Sequence, residues 1–436
     1  MPLSTPSCLA FTVWGVHPKV LCRLQFCPRY AIMYPLRISE GCFGLSGSGR
    51  GFIVLLGVIY LSFLALGMDA GAFSVAWPDM RLDFGLPLEI GGTIVAVQMI
   101  FYVIASSQTG GISRYIRLEK LAFIGLMLMA AGYFAFAFAP SFIALMVILS
   151  LVGLGTGMID SSINTYGAQI LTTGQLSLVH CFWGAGASLT PIVMAQLIIF
   201  SGWRLGYTFL AVFALAVAVV VLVSILLGLW RGGESVAAVE SGGHTGRWPN
   251  RLAKKRHQAL RILTCFIYGG AEHAIGFWIT TVLVESRGLS IDAAGMFPAA
   301  YYGAIMLGRV LCGLIDRRAR DTTMVRLGLV VGLVGVGVLA FTGNIAGIAL
   351  VGLGFSPIFP CLIHDTAERF TPEVTGKLIG YQVATFGVSV VVLSPLVGHT
   401  LAAVSIHSLF PIMAVLIILT FAANEWLEVI SAKIAG

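Results

Sequence analysis

The chain has 436 residues, of which 58% are hydrophobic and only 10% charged. Soluble domains carry roughly a quarter charged residues, so this composition, with a mean hydropathy of +0.94, excludes an ordinary water-soluble fold. The formal net charge of +7 is not a nucleic-acid footprint. The basic residues lie in short loops between apolar runs, where Lys and Arg set membrane orientation.

Residues 1–50 hold no uninterrupted apolar core of spanning length, and no apolar run followed by a small-residue cleavage site. They are expected to be a disordered extension or an over-long start ahead of Met33, with an amphipathic surface segment as the other option. Beyond them the runs are long. Residues 51–68 and 205–229 contain no Asp, Glu, Lys or Arg, and a helix needs about 20 apolar residues to cross the hydrocarbon core. Length and loop signals predict twelve spans: 51–77, 88–110, 119–139, 142–170, 177–200, 204–230, 259–284, 292–315, 324–342, 344–364, 377–399 and 407–428. Residues 231–258 are polar and Gly-rich, then strongly basic, and read as a linker. The expected fold is therefore an all-α polytopic membrane protein. A six-helix bundle at 51–230 and another at 259–436 would be related by a pseudo-two-fold axis.

Loop charge supplies the orientation. Arg114, Arg117 and Lys120 follow span two; Arg247, Arg251, Lys254, Lys255 and Arg256 follow span six; Arg317, Arg318, Arg320 and Arg326 follow span eight. The opposite loops hold only Arg81, Arg204 and Arg287. The positive-inside rule places both termini and the linker in the cytoplasm, in a multi-pass plasma-membrane protein. The halves also repeat each other. Gly153-Leu154-Gly155 in span four recurs as Gly352-Leu353-Gly354 in span ten, and the Phe182-to-Pro191 spacing of span five recurs from Phe386 to Pro395 in span eleven. A parallel repeat of this kind puts a site between the halves near the bilayer midplane.

Three deep acids stand out. On a helix, Gly153, Gly157, Asp160, Asn164 and Gly167 share one face. The glycines allow close helix approach, and Asp160 lies on the same seam with Asn164. An aspartate at the bilayer centre costs about 2.5–3.5 kcal/mol on insertion scales. A chain tolerates that when the group faces a wet cavity, is paired or is protonated, so Asp160 reads either as a proton site or as a hydrogen-bonded tether to a neighbouring helix. Asp69 in span one and Glu272 in span seven occupy similar places in the two halves and join it as proton-coupling candidates. His273 points about 100° away from Glu272 and reads as a relay or a satisfied hydrogen-bonder. Trp183, in LVHCFWGAGASLTP, is a ligand-stacking wall or an interfacial anchor. Tyr302 and Gln382 are further substrate-binding candidates.

The stretch LGRVLCGLIDRRARD at 307–321 is a different kind of site. Arg309, Gly313, Asp316 and Arg317 form a candidate conformational latch, with simple positive-inside anchoring as the alternative. No GxxxxGK[ST], HExxH, GxSxG or CxxC is present, so nothing points to an enzyme, a nucleotide-driven pump, a cofactor or a metal.

These residues resemble the major facilitator superfamily over residues 51–430. The resemblance rests on the paired bundles, the basic central loop and the GRxxxGxxxDRR element after span eight. In the loop after span two, TGGISRYIRLEK, Ser113 and Arg114 stand where that element has its Asp. Within the superfamily, GLGTGMIDSSIN, LVHCFWGAGASLTP and YGGAEHAIGFW are similar to the fucose permease-like branch of sugar:proton symporters. That likeness implies proton coupling at Asp160 and a substrate role nearby, with Trp183 near the branch's span-five ligand position. The expected activity is secondary transport of a small solute, such as a sugar or related polar metabolite, by alternating access with protons as coupling ion. The expected partners are that solute and the lipid bilayer, with the chain acting as a monomer. Efflux of drug-like compounds by proton antiport is the alternative, and a non-transporting sensor or scaffold a more distant one.

Overall fold

The structure is a computed structural model that describes residues 48–171, 173–230, 251–315, 320–370 and 372–435. Residues Arg50–Gly436 form one compact unit. Regular structure among the described residues is all helical. The helices are α1 Ser48–Asp83, α2 Ile90–Ile112, α3 Leu118–Ala137, α4 Phe142–Ile170, α5 Thr173–Ser201, α6 Trp203–Leu226 and α7 Arg251–Arg287. They continue with α8 Ile291–Ile315, α9 Asp321–Thr342, α10 Ile345–Phe355, α11 Ile358–Arg369, α12 Pro372–Ala403 and α13 Leu409–Ala435. In a bilayer a helix satisfies its own backbone groups, which is why runs this apolar fold this way. Among the described residues, eleven spans, α10 and α11 counting together, are long and apolar enough to cross a membrane. Helix α8, at 25 residues, also has the length of a span.

Two local differences from the expected elements have plain causes. Helix α7 begins at Arg251, so the basic stretch 251–258 extends a span that was expected to start at 259. Lys, Arg, Gln and Ala are good helix formers, which favours that extension. Span ten is broken between α10 and α11 at Ser356-Pro357. Pro357 has no N–H to give the carbonyl of Leu353. The Ser356 hydroxyl donates to that carbonyl instead, at 2.7 Å.

Helix packing follows the repeat seen in sequence. In the first half α4 packs on α2 and α3, and α3 on α6; in the second, α10 packs on α8 and α9, and α9 on α13. The two Gly-Leu-Gly stretches do the same work. A methyl group at Gly153 would strike the Gln98 carbonyl of α2, and one at Gly352 the Tyr301 carbonyl of α8. Gly155 sits against Gly125 of α3, as Gly354 does against Gly328 of α9. Only residues without a side chain permit backbones this close.

The halves meet through α5 with α8 and α2 with α12. Ser188 donates to the Ala299 carbonyl at 2.8 Å, and Gly92 lies against the backbone at Ser394 and Pro395. Phe73 of α1 stacks on Phe277 of α7, ring centroids 5.7 Å apart. Arg81 of α1 forms an ion pair with Glu285 of α7. These contacts run from mid-span to the end opposite the α6–α7 connection, here called the far end. At the linker end, the tip of α2 at Gly110 and Gly111 and the start of α12 at Gly380 have open space beside them.

Candidate functional site

Each deep acid is held by a tyrosine hydroxyl. Asp160 accepts from Tyr102 of α2, and its other oxygen accepts from Asn164 at 2.9 Å. The four-residue spacing brings Asp160 and Asn164 into contact, while the glycine seam beside them packs on α2. Asp69 accepts from Tyr133 of α3 at 2.6 Å and from Gln98 of α2 at 2.7 Å. It ties α1, α2 and α3 together. Glu272 accepts from Tyr268, one turn back on α7, and that hydroxyl also lies 3.0 Å from the Phe355 carbonyl at the end of α10. A phenol can donate to a carboxylate and accept from a carboxylic acid. Each pair therefore keeps a hydrogen bond with or without a proton on the acid.

The second oxygen of Glu272 faces Arg309 of α8 at 3.8 Å. Arg309 thus stands within α8, facing α7. Asp316 and Arg317 lie outside the described residues, and Gly313 is placed only by backbone, in the last turn of α8. His273 turns away from Glu272, as the 100° step requires. It stacks on Phe277 with ring centroids 5.9 Å apart, and its buried Nε2 has no hydrogen-bond partner. Trp183 of α5 and Tyr302 of α8 meet edge to face across the halves at 6.1 Å.

Gln382 is not placed with these groups. It is fully buried, accepting from Thr366 at 3.1 Å and donating to Cys265 at 3.5 Å. It belongs to a charge network at the linker end of the second half, which sequence reasoning missed. There Arg261, 1% exposed, pairs with Asp365 and donates to Thr366 at 3.0 Å. Arg369 pairs with Asp365 at 2.6 Å and Glu428 at 2.7 Å, and His257 bonds Ser431 at 2.9 Å. The one available signal was the i, i+4 pair Asp365 and Arg369 on a polar stretch of an otherwise apolar span. The tyrosine partners gave no comparable signal.

A bundle of apolar helices with acids and an arginine held between them defines a polytopic membrane transporter. Residues 59–388 match the Major Facilitator Superfamily, and the chain belongs to that family. It is 23% identical over 355 residues to the probable sulfoacetate transporter SauU of Cupriavidus necator, covering 75% of this chain and 81% of that protein. It is also 23% identical to bypass of stop codon protein 6 of Saccharomyces cerevisiae, over 59% of this chain and 56% of that protein. The fold is shared with a bacterial homologue of the lysosomal transporter Spinster, with a TM-score of 0.70, 11% identity and coverage of 89% and 98%. It is shared too with the nucleoside transporter NupG, with a TM-score of 0.69, 13% identity and coverage of 86% and 99%.

Proposed function

We propose that the protein is a proton-coupled secondary transporter that moves a small polar metabolite by alternating access. The observation that carries this is the carboxyl–phenol pairing of Asp160, Asp69 and Glu272. A buried acid that stays hydrogen-bonded in both protonation states can take and release a proton without stranding a polar group. Asp160 is the coupling acid, with Glu272 and Asp69 assisting. Asn164, Trp183, Tyr302 and His273 contribute the solute site, and the Gly313–Asp316–Arg317 loop serves as the latch. Contacts concentrated at the far end, with open space beside the linker-end tips of α2 and α12, support a state open toward the linker. Loop charge makes that side the cytoplasm, with both termini there and the chain acting as a single copy in the plasma membrane.

Two substrate classes have support. Sugars follow from the likeness to the fucose permease-like branch, and small acids from the relative named as a probable sulfoacetate transporter. Proteoliposomes carrying the wild type or Asp160→Asn test the reading with labelled L-fucose and sulfoacetate. An imposed pH gradient should drive accumulation in the wild type only, while gradient-independent exchange survives in the variant. Accumulation by Asp160→Asn against the solute gradient would remove Asp160 from coupling. Reversing the gradient separates uptake from efflux.

A further inference from the structure

Among the described residues, several arginines are tightly paired. Arg81, Arg204, Arg261, Arg326 and Arg369 each lie in close ion-pair contact with a carboxylate. Arg309 does not. Its nearest carboxylate oxygen, on Glu272, stands 3.8 Å away, beyond a hydrogen bond. Its Nε is buried and has no hydrogen-bond partner. The side chain is 25% exposed, and a buried donor left unmet costs free energy that a ligand's acceptor would recover.

The surroundings fit a ligand. Arg309 lies within Coulombic reach of His180 and Cys181 on α5 of the other half. It is one turn beyond Met306, which packs on Gly184, and two turns beyond Tyr302, which meets Trp183. It therefore stands on the linker side of these α5–α8 contacts. Glu272 is its only carboxylate neighbour among the described residues, and Tyr268 already holds the other oxygen of that group. A guanidinium presents a planar fork of donors that matches a carboxylate or sulfonate.

We infer that Arg309 anchors the acid group of a small organic anion, and that Glu272 is the internal counter-ion which this anion displaces. This rests on the transport reading above and narrows it to acidic solutes. Glu272 holds the guanidinium loosely in the empty site. An arriving acid takes the unmet donors, and its carbon scaffold rests against Trp183 and Tyr302.

Purified protein should gain thermal stability with malonate, succinate or ethanesulfonate, since a ligand that binds the folded state stabilises it. Malonamide, a neutral isostere of malonate, should have no effect. A hydrogen bond to a charged group is worth about 1.5–3 kcal/mol, so Arg309→Gln should weaken acid binding by about 10- to 100-fold. Arg309→Lys, which keeps the charge, should retain part of the response and guards against misfolding of the Gln variant. Glu272→Gln should tighten binding by freeing the guanidinium. The inference is overturned if no acid shifts the wild type, if malonamide shifts it equally, or if Arg309→Gln responds as the wild type does. Weaker acid binding in Glu272→Gln would overturn the counter-ion role. Proton-driven flux of a neutral solute without any acid response defeats the anion site alone; absence of all proton-driven flux defeats the transport reading as well.

Discussion

Breaking the ion pair between Arg81 and Glu285 should open the far end. The two side chains sit on the first helix of each half and are 17% and 33% exposed. A fully exposed pair is worth about 0.2–1 kcal/mol, whereas two charges at 4 Å in an effective dielectric of 20 attract by about 4 kcal/mol. Partial burial puts this pair between those limits, at about 1–2 kcal/mol. Because the pair forms only when the halves meet, its loss should shift the closed-to-open ratio by about 5- to 30-fold. Spin labels at Leu82 and Ser290, both exposed in the structure, would report far-end distances by pulsed electron resonance. Arg81→Ala and Glu285→Ala should each populate longer distances, and the double variant should go no further. The swapped pair Arg81→Glu with Glu285→Arg should restore closure. Singles that leave the distribution unchanged, or a swapped pair as open as either single, would refute the reasoning.

Three further outcomes follow from the packing and the networks. Arg261→Ala should destabilise the protein by about 1–3 kcal/mol, because it removes a buried partner of Asp365, which Arg369 still holds. The half-exposed pair Arg326 and Glu425 should contribute only about 0–1 kcal/mol; denaturation in mild detergent compares the two. Gly155→Leu and Gly354→Leu should each cost at least the roughly 1–3 kcal/mol typical of overpacking, and by similar amounts, because both wedge apart equivalent helix pairs. Folded yield by size exclusion checks this, and a large effect in one half alone would contradict the repeat. Asp69→Asn should lower thermal stability, since Asp69 joins three helices of one half, and should lower proton-driven accumulation while exchange of a bound solute survives; unchanged accumulation would remove Asp69 from coupling.

The helices were legible because length and hydropathy decide a span with little reference to the rest of the chain. Pairing within one helix was legible too: Asp160 and Asn164 are four apart and bonded. Pairing between helices was not. Tyr102 and Tyr133 lie far from Asp160 and Asp69 in sequence, and a tyrosine in an apolar helix carries the pattern of ordinary core. Arg309 was grouped with the loop arginines that follow it, because sequence does not reveal that it stands two turns inside α8 and faces α7. Gln382 looked like a lone polar group in a cavity wall, whereas Thr366 and Cys265, from other helices, satisfy it. In each case the missing information was which helices become neighbours, and small residues such as Gly153 and Gly352 were its only trace.

The break in span ten gives the site a mechanical connection. Ser356 satisfies the Leu353 carbonyl that Pro357 leaves open, so the bend between α10 and α11 does not strand that carbonyl. At the same bend the Phe355 carbonyl lies 3.0 Å from the Tyr268 hydroxyl whose proton Glu272 accepts. One phenol thus serves as both a handle on the acid and a strut against the hinge. Any event that turns this phenol, whether a proton on Glu272 or an anion at Arg309, changes what supports the bend. The carboxylate of Glu272 thus lies one phenol away from the break in span ten.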